Sequence, residues 1–379
     1  MTEKESVSAS KVFFADIRAT RTGDSKIKKI EKLFKQAGFA KLYSKDDLTA
    51  IKVHFGERGN DTFLSPVFAR AIVQLIKESG AKPFLTDTNT LYRGQRHNAV
   101  DHVNLALEHG FSFATVQAPV IIADGLNGND YLEISIQKKH FSKVKIADAI
   151  IRADSMMMLS HFKGHAIAGF GGAIKNLAMG CAPARGKREQ HSAEFVVSPE
   201  KCTHCGECVA HCPEKAIGWA STEGKKHASI DRDKCIGCGE CMTLCNFGAV
   251  DINWETGRQE FTERMVEYAY GAAESQKGRV AYYNFLINIT PECDCASWSD
   301  APLVPDIGIL ASTDPVAIDK ACYDLVNAQA GLKNSGLECN HAPGEDKFKG
   351  AAPTSMGEWQ FQYAESIGMG STNYELIKI

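Results

Sequence analysis

The sequence predicts an α/β fold, a mostly parallel sheet core interrupted by one short cysteine-rich insertion. Three observations carry this. Apolar segments of strand length alternate with segments whose apolar residues recur at helical spacing; the texture breaks into Cys- and Gly-rich turns between Val196 and Ile252; and the alternation then resumes. With 379 residues, 44% of them apolar, the chain is long enough for one large core plus a small module. A net charge near -3 gives no reason to expect a nucleic-acid partner. No apolar run approaches the length of a membrane span, and the opening Met-Thr-Glu-Lys-Glu-Ser lacks the basic-then-apolar order of a secretion signal, so a soluble cytoplasmic protein is expected.

The elements follow in order. Ala50 to Phe55 reads as a strand and Gly56 to Asn60 as a polar loop. Ser65 is a natural N-cap with Pro66 at the first helical position, and Phe68, Ile72, Leu75 and Ile76 keep helical spacing up to the stop at Gly80. Strands at Lys82 to Thr86, Val120 to Ala123 and Met156 to Ser160, with a helix at Ala99 to Glu108, continue the alternation, which implies a parallel, buried sheet. After the break come a helix near Thr262 to Glu274, strands at Arg279 to Ile289 and Ile307 to Leu310, and a helix capped by Asp314-Pro315. The tail beyond Gly331, rich in Gly, Asn and Pro, reads as a loop-rich wrap. Lys26, Lys28, Lys29 and Lys32 lie opposite Ile27, Ile30, Leu33 and Phe34 on a helix-like segment and read as a solvated face. The expected division is thus a first core part over 1–195, a module over 196–252, and a second core part with the tail over 253–379.

Eight of the thirteen cysteines lie in two matching runs, Cys202-x-x-Cys205-x-x-Cys208-x-x-x-Cys212-Pro213 and Cys235-x-x-Cys238-x-x-Cys241-x-x-x-Cys245, offset by 33 residues. This spacing is that of a bacterial-type ferredoxin module with two [4Fe-4S] clusters. Three thiolates at i, i+3 and i+6 fit one tight loop, and the last cysteine of each run crosses to the other cluster. Cys202, Cys205, Cys208 and Cys245 are therefore assigned to one cluster, and Cys235, Cys238, Cys241 and Cys212 to the second. Zinc ribbons use four ligands rather than eight at this double spacing. Clusters serving only as staples or oxygen sensors remain an alternative.

A second constellation, Ser160-His-Phe-Lys-Gly-His165-Ala-Ile-Ala-Gly-Phe-Gly-Gly-Ala-Ile-Lys175, follows a strand and so falls where open α/β sheets bind ligands. Gly169, Gly171 and Gly172 would let backbone amides approach an anion, a helix starting near Ala173 would aim its positive end there, and Lys175 adds a charge. His161 and His165 are candidate proton-transfer groups, with Lys163 between them. The alternative is a turn that only packs helix against sheet. Cys181, Cys293, Cys295 and His191 are candidates for a third metal site, against free thiols; Cys322 reads as a core thiol and Cys339 as a loop thiol. Arg58, beside Glu57, is either a substrate-carboxylate ligand or an exposed loop charge.

Lys52-Val-His-Phe-Gly-Glu57, the His161 to Cys181 stretch, the cysteine runs and Asp314-Pro-Val-Ala-Ile-Asp319 together resemble the DUF362 family of iron-sulfur proteins over most of the chain. That resemblance implies a fold and clusters but no established reaction. His165-Ala-Ile-Ala-Gly-Phe-Gly-Gly-Ala-Ile-Lys175 is also similar, more distantly, to a motif of the nickel-dependent lactate racemase family. By that resemblance His165 is an acid/base, Lys175 anchors a nucleotide-type nickel cofactor, and His191 is a metal ligand. Ile174 stands where that family has arginine, and its upstream Thr-Gly-x-His-Arg segment has no clean counterpart near Asp87 to His97. The leading expectation is an oxidoreductase passing electrons from two clusters to a small molecule or second cofactor at the His161 to Lys175 loop, served by a redox partner protein. A racemase-like enzyme with structural clusters, and a ferredoxin-like carrier or metal-delivery protein, are the alternatives.

Overall fold

The chain is known from a computed structural model, which describes residues 9–379 except 93, 192–193, 213, 233, 236–239 and 254–256. Its centre is an eight-stranded sheet in the order Tyr374–Lys378, Ser10–Asp16, Gly308–Ser312, Val280–Leu286, Ser155–His161, Leu48–Val53, Lys82–Asp87 and Val120–Ile122. From Val280–Leu286 to Val120–Ile122 every neighbouring pair is parallel. Gly308–Ser312 runs antiparallel to both of its neighbours, and Ser10–Asp16 pairs in parallel with Tyr374–Lys378. The expected α/β fold with a mostly parallel sheet is what the chain adopts.

The two middle strands are buried along their whole length, which is why they read as unbroken apolar runs. Successive side chains alternate between the faces of the sheet. Met156, Met158 and Tyr282 enter one core with the helices Ala173–Cys181, Arg258–Ser275 and Pro315–Asn327. Met157, Leu159, Ala281 and Tyr283 enter the other with Lys26–Gln36 and Pro66–Glu78. Each fully buried Met, Leu or Phe contributes roughly 1.5–3 kcal/mol relative to exposure, so these layers hold the sheet rigid. The Ser65 hydroxyl accepts from the Val67 amide, and the Asp314 carboxylate accepts from the Val316 and Ala317 amides, each cap followed by proline.

Two expectations change. The tail is a loop-rich wrap only in part, because it also forms the helix Gly357–Ser366 and the edge strand Tyr374–Lys378. An edge strand buries little, so its apolar pattern is short and weak. The basic run Lys26 to Lys32 is not wholly a solvated face. Lys29 is buried, and its ammonium pairs with Asp16 at 2.7 Å.

Glu194–Val197 pairs antiparallel with Val250–Asn253, so the chain leaves and rejoins the α/β body through adjacent strands. Between them Ile217–Thr222 and Lys225–Ile230 form a second ribbon. Phe195, Ile217, Ala228, Met242 and Val250 make a small separate core. Among the described residues no helix is long and apolar enough to cross a membrane.

Candidate functional site

The parallel strands end on one side of the sheet, and a cavity of about 280 Å³ opens there. Its walls hold Lys52, Arg96, Lys163, Lys175 and Lys187 against few carboxylates. Lys52 ends the strand Leu48–Val53, and its ammonium lies 2.9 Å from Asp87 Oδ1 and 2.9 Å from Asn176 Oδ1. Burial pushes the Asp87 carboxyl up, but Lys52, then His102 and Arg96, outweigh it and hold it below the usual range. Arg96 is clamped by Glu57 at 3.2 Å and donates to the Tyr92 hydroxyl at 2.7 Å. Lys187 donates to Thr88 Oγ1 and to the Ala182 carbonyl. Burial pulls its ammonium down to about 8, although Asp124 and Asp87 favour the charge.

The segment after Ser155–His161 supplies the next wall. Nδ1 of His161 lies 2.8 Å from Asp294 Oδ1, and its Nε2 faces the Ile287 and Asn288 carbonyls at 2.8 and 2.9 Å. Both ring nitrogens thus face acceptors, which fixes the ring and lets His161 position Asp294. Lys163 donates to the His161 carbonyl at 3.1 Å and lies 3.6 Å from Asp294. Burial opposes its charge, but Asp294 and the Cys293 and Cys295 sulfurs raise it. His165 Nδ1 accepts from the Ile167 and Ala168 amides at 3.3 and 3.0 Å, which leaves the proton on Nε2. Burial, then Lys175, His191 and Lys163, keep this imidazole neutral far below its ordinary range. His191, on the helix Ala184–His191, is pulled down to about 3, first by burial and then by Lys175 and Lys187. The Lys175 ammonium lies 3.6 Å from Cys293 Sγ.

The cysteine runs form the second part of the site. Cys202, Cys205, Cys208 and Cys245 line one small cavity beside the half-exposed Trp219 and Phe247. The Ala216 amide donates to Cys212 Sγ at 3.2 Å, and the Ala249 amide to Cys245 Sγ at 3.2 Å, the same contact in each half of the repeat. Cys212 and Cys235 pack against the same small core that includes Cys241; Cys238 lies outside the described residues. Leu91 belongs to this core and also lines the cation-rich cavity, so its side chain is common to the two regions.

The model of a domain of unknown function, DUF362, matches residues 49–324. The chain belongs to the DUF362 family. Among solved structures it is similar to the lactate racemase apoprotein from Thermoanaerobacterium thermosaccharolyticum, with 13% identity, a TM-score of 0.36, and coverage of 68% of this chain and 49% of that one. A Thermotoga maritima protein matches with 9% identity, a TM-score of 0.36, and coverage of 71% and 52%. The DUF362 chain therefore spans about half the length of these structures. No curated protein matches it.

In this DUF362 chain the helix start at Ala173 is not open to an anion. The Ala173 and Ile174 amides already donate to the buried Asp319 carboxylate, at 2.7 and 2.9 Å. Gly172 is needed for that approach, since a Cβ there would lie 2.3 Å from Asp319 Oδ1. Gly169 packs against Gly357 and does not line the cavity, whereas Gly171 and Gly172 do. Cys181 is also away from it, buried in the core with its sulfur 4.0 Å from Met156 Sδ, and burial pushes its thiol up to about 12. Cys293, Cys295 and His191 do line the cavity. Cys322 is in the core and Cys339 is exposed. Arg58 pairs with Glu108 at the surface, and Glu57 instead holds Arg96.

Lys52, Asp87, Arg96 and Lys187 were not anticipated. A lysine inside an apolar strand and an aspartate at a strand's C-terminal end were available signals for the first two. Arg96 and Lys187 sit in polar stretches where nothing marks them.

Proposed function

We propose that this chain is an iron-sulfur oxidoreductase acting on a small anionic molecule held in the cation-lined cavity. The observation that carries the reading is the shared wall at Leu91, which sets the cysteine-rich core against a pocket with five buried or half-buried cations. The first set, Cys202, Cys205, Cys208 and Cys245, suits one [4Fe-4S] cluster, and the second set includes Cys238, which lies outside the described residues. Cys202, Cys205, Cys208 and Cys245 line one cavity together with Thr203, His204, Glu207 and several apolar side chains, and amides donate to Cys212 and Cys245. Such clusters supply one-electron transfer. Around the substrate, Lys187, Lys175 and Arg96 bind and orient negative charge, and His165 Nε2–H donates a hydrogen bond to it. Trp219 and Phe247, at the cysteine cavity's rim, suit a redox partner protein.

The test is anaerobic purification with iron, sulfide and zinc analysis and low-temperature magnetic resonance after reduction. About eight irons per chain are expected. Stoichiometric zinc without a cluster signal would sink the proposal. The second reading, a racemase-like enzyme with Lys175 anchoring a nucleotide-type cofactor, is favoured by one observation, that Lys175, His165 and His191 share a cavity. It requires turnover of a hydroxy acid with no electron donor and a mass adduct on Lys175.

A further inference from the structure

Two sulfurs in the cavity wall remain without a role. Cys293 and Cys295 lie in a turn beyond the strand Val280–Leu286, and both face the cavity. Only one residue separates them in the chain, and each sulfur acts directly on the other's charge. Asp294, between them, is held by His161 at 2.8 Å and by Lys163 at 3.6 Å, which fixes the backbone that carries both thiols. Lys175 approaches Cys293 to 3.6 Å. The groups acting on the pair are cationic on one side, Lys175, Lys163 and Arg96, with Asp294, Glu292 and Tyr92 on the other. Cys295 and then the two lysines draw the Cys293 thiol well below its ordinary range against burial, while the Cys295 thiol is pushed up. Two thiols one residue apart on a fixed turn, facing one cavity with an ammonium 3.6 Å from the first, have the arrangement of an attacking and a resolving sulfur. No third His, Cys, Asp or Glu joins them among the described residues, and Cys181 is in the core, so a metal site at this pair is less well supplied than a dithiol.

We propose that Cys293 and Cys295 are a reversible dithiol/disulfide pair that reduces a small anionic disulfide bound in the cavity. The Cys293 thiolate attacks one sulfur of R–S–S–R; the substrate S–S bond breaks, a mixed disulfide forms, and RS⁻ leaves beside Lys175. Cys295 gives its proton to that RS⁻ and attacks Cys293 Sγ. The Cys293–SR bond breaks, a second RS⁻ leaves, and the protein holds a disulfide. Two electrons have passed to the substrate, and two small thiols run the sequence backwards. None of these steps uses the cysteine runs, so this site goes beyond the oxidoreductase reading and stands or falls apart from it.

The intact chain, prepared anaerobically, is mixed with dithiodiglycolate and, separately, with the neutral hydroxyethyl disulfide. Trypsin releases residues 280–320 as one peptide in which Cys293 and Cys295 are the only cysteines. The expected product is this peptide two hydrogens lighter, with two thioglycolates released and the dianion reacting roughly tenfold faster than the neutral disulfide. In Cys295→Ser the mixed disulfide should persist on Cys293, and Lys175→Met should remove most of the preference for the dianion. A wild-type peptide that keeps both thiols, stops at the mixed disulfide, or reacts equally with both probes overturns the proposal. Iron content does not enter the readout, so failure here is distinct from failure of the cluster reading.

Discussion

In the 196–252 segment the sulfurs come from one stretch of chain, with Cys205 exposed, Cys202, Cys208, Cys212 and Cys235 partly covered, and Cys241 and Cys245 buried. The cavity beside it draws its charges from positions scattered between Lys52 and Cys295, and Lys52, Asp87 and Arg96 are almost fully buried. The first region has only a small core of its own. The second depends on ion pairs and the packed sheet behind them. Leu91 joins the two, so each can be broken while the other is watched.

The largest effect is expected from removing one sulfur. If the proposed clusters are present, Cys245→Ser should lose about half of the bound iron, because one of the two would lose a ligand. It should leave anion binding in the cavity unchanged, since Cys245 is not in that wall. Metal analysis and calorimetric titration with a small dicarboxylate read the two regions separately. A parallel loss of anion binding would show that they are not independent.

Legibility in the sequence follows the same division. Cysteines at i, i+3 and i+6 are local, so the spacing alone singles out Cys202, Cys205, Cys208 and their counterparts as the proposed ligand set. The sheet was legible because buried parallel strands such as Ser155–His161 are continuous apolar runs. The cavity was legible only where its residues share a segment, as His165 and Lys175 do. Its pairs Lys52 with Asp87, Arg96 with Glu57 and Lys175 with Cys293 join distant segments, and no periodicity reports such contacts. Roles were harder still. His161 and His165 looked equivalent as proton carriers, yet one faces only acceptors and the other accepts two amides. Gly169, Gly171 and Gly172 looked like an anion cradle, but the amides that follow them are taken by Asp319, nearly 150 residues away.

The next effect in size tests the ion network. Lys52→Met leaves Asp87 buried with its closest cationic partner gone, and the cost should be about 3–5 kcal/mol in denaturant unfolding. Adding Asp87→Asn should recover part of it, because the orphaned charge is then gone. If Lys52→Met costs less than about 1 kcal/mol, Arg96 already balances Asp87 and the pair is not what holds that wall together.

The smallest effect bears on what the cavity binds. The Lys187 ammonium is pulled down to about 8 by burial, so it carries its charge below that pH and loses it above. An anion bound beside it favours the charged form, and affinity for a small dicarboxylate should therefore fall as pH rises through about 8. Lys187→Met should weaken binding at pH 7 by roughly tenfold, the size of one charge-assisted hydrogen bond. It should also abolish the step near pH 8. A step that survives in the variant would have to come from another group in the wall. An affinity that rises with pH in the wild type would mean that the ligand itself is cationic, and the cations around it would then be structural partners of Asp87, Asp294 and Glu57 rather than the reason the pocket exists.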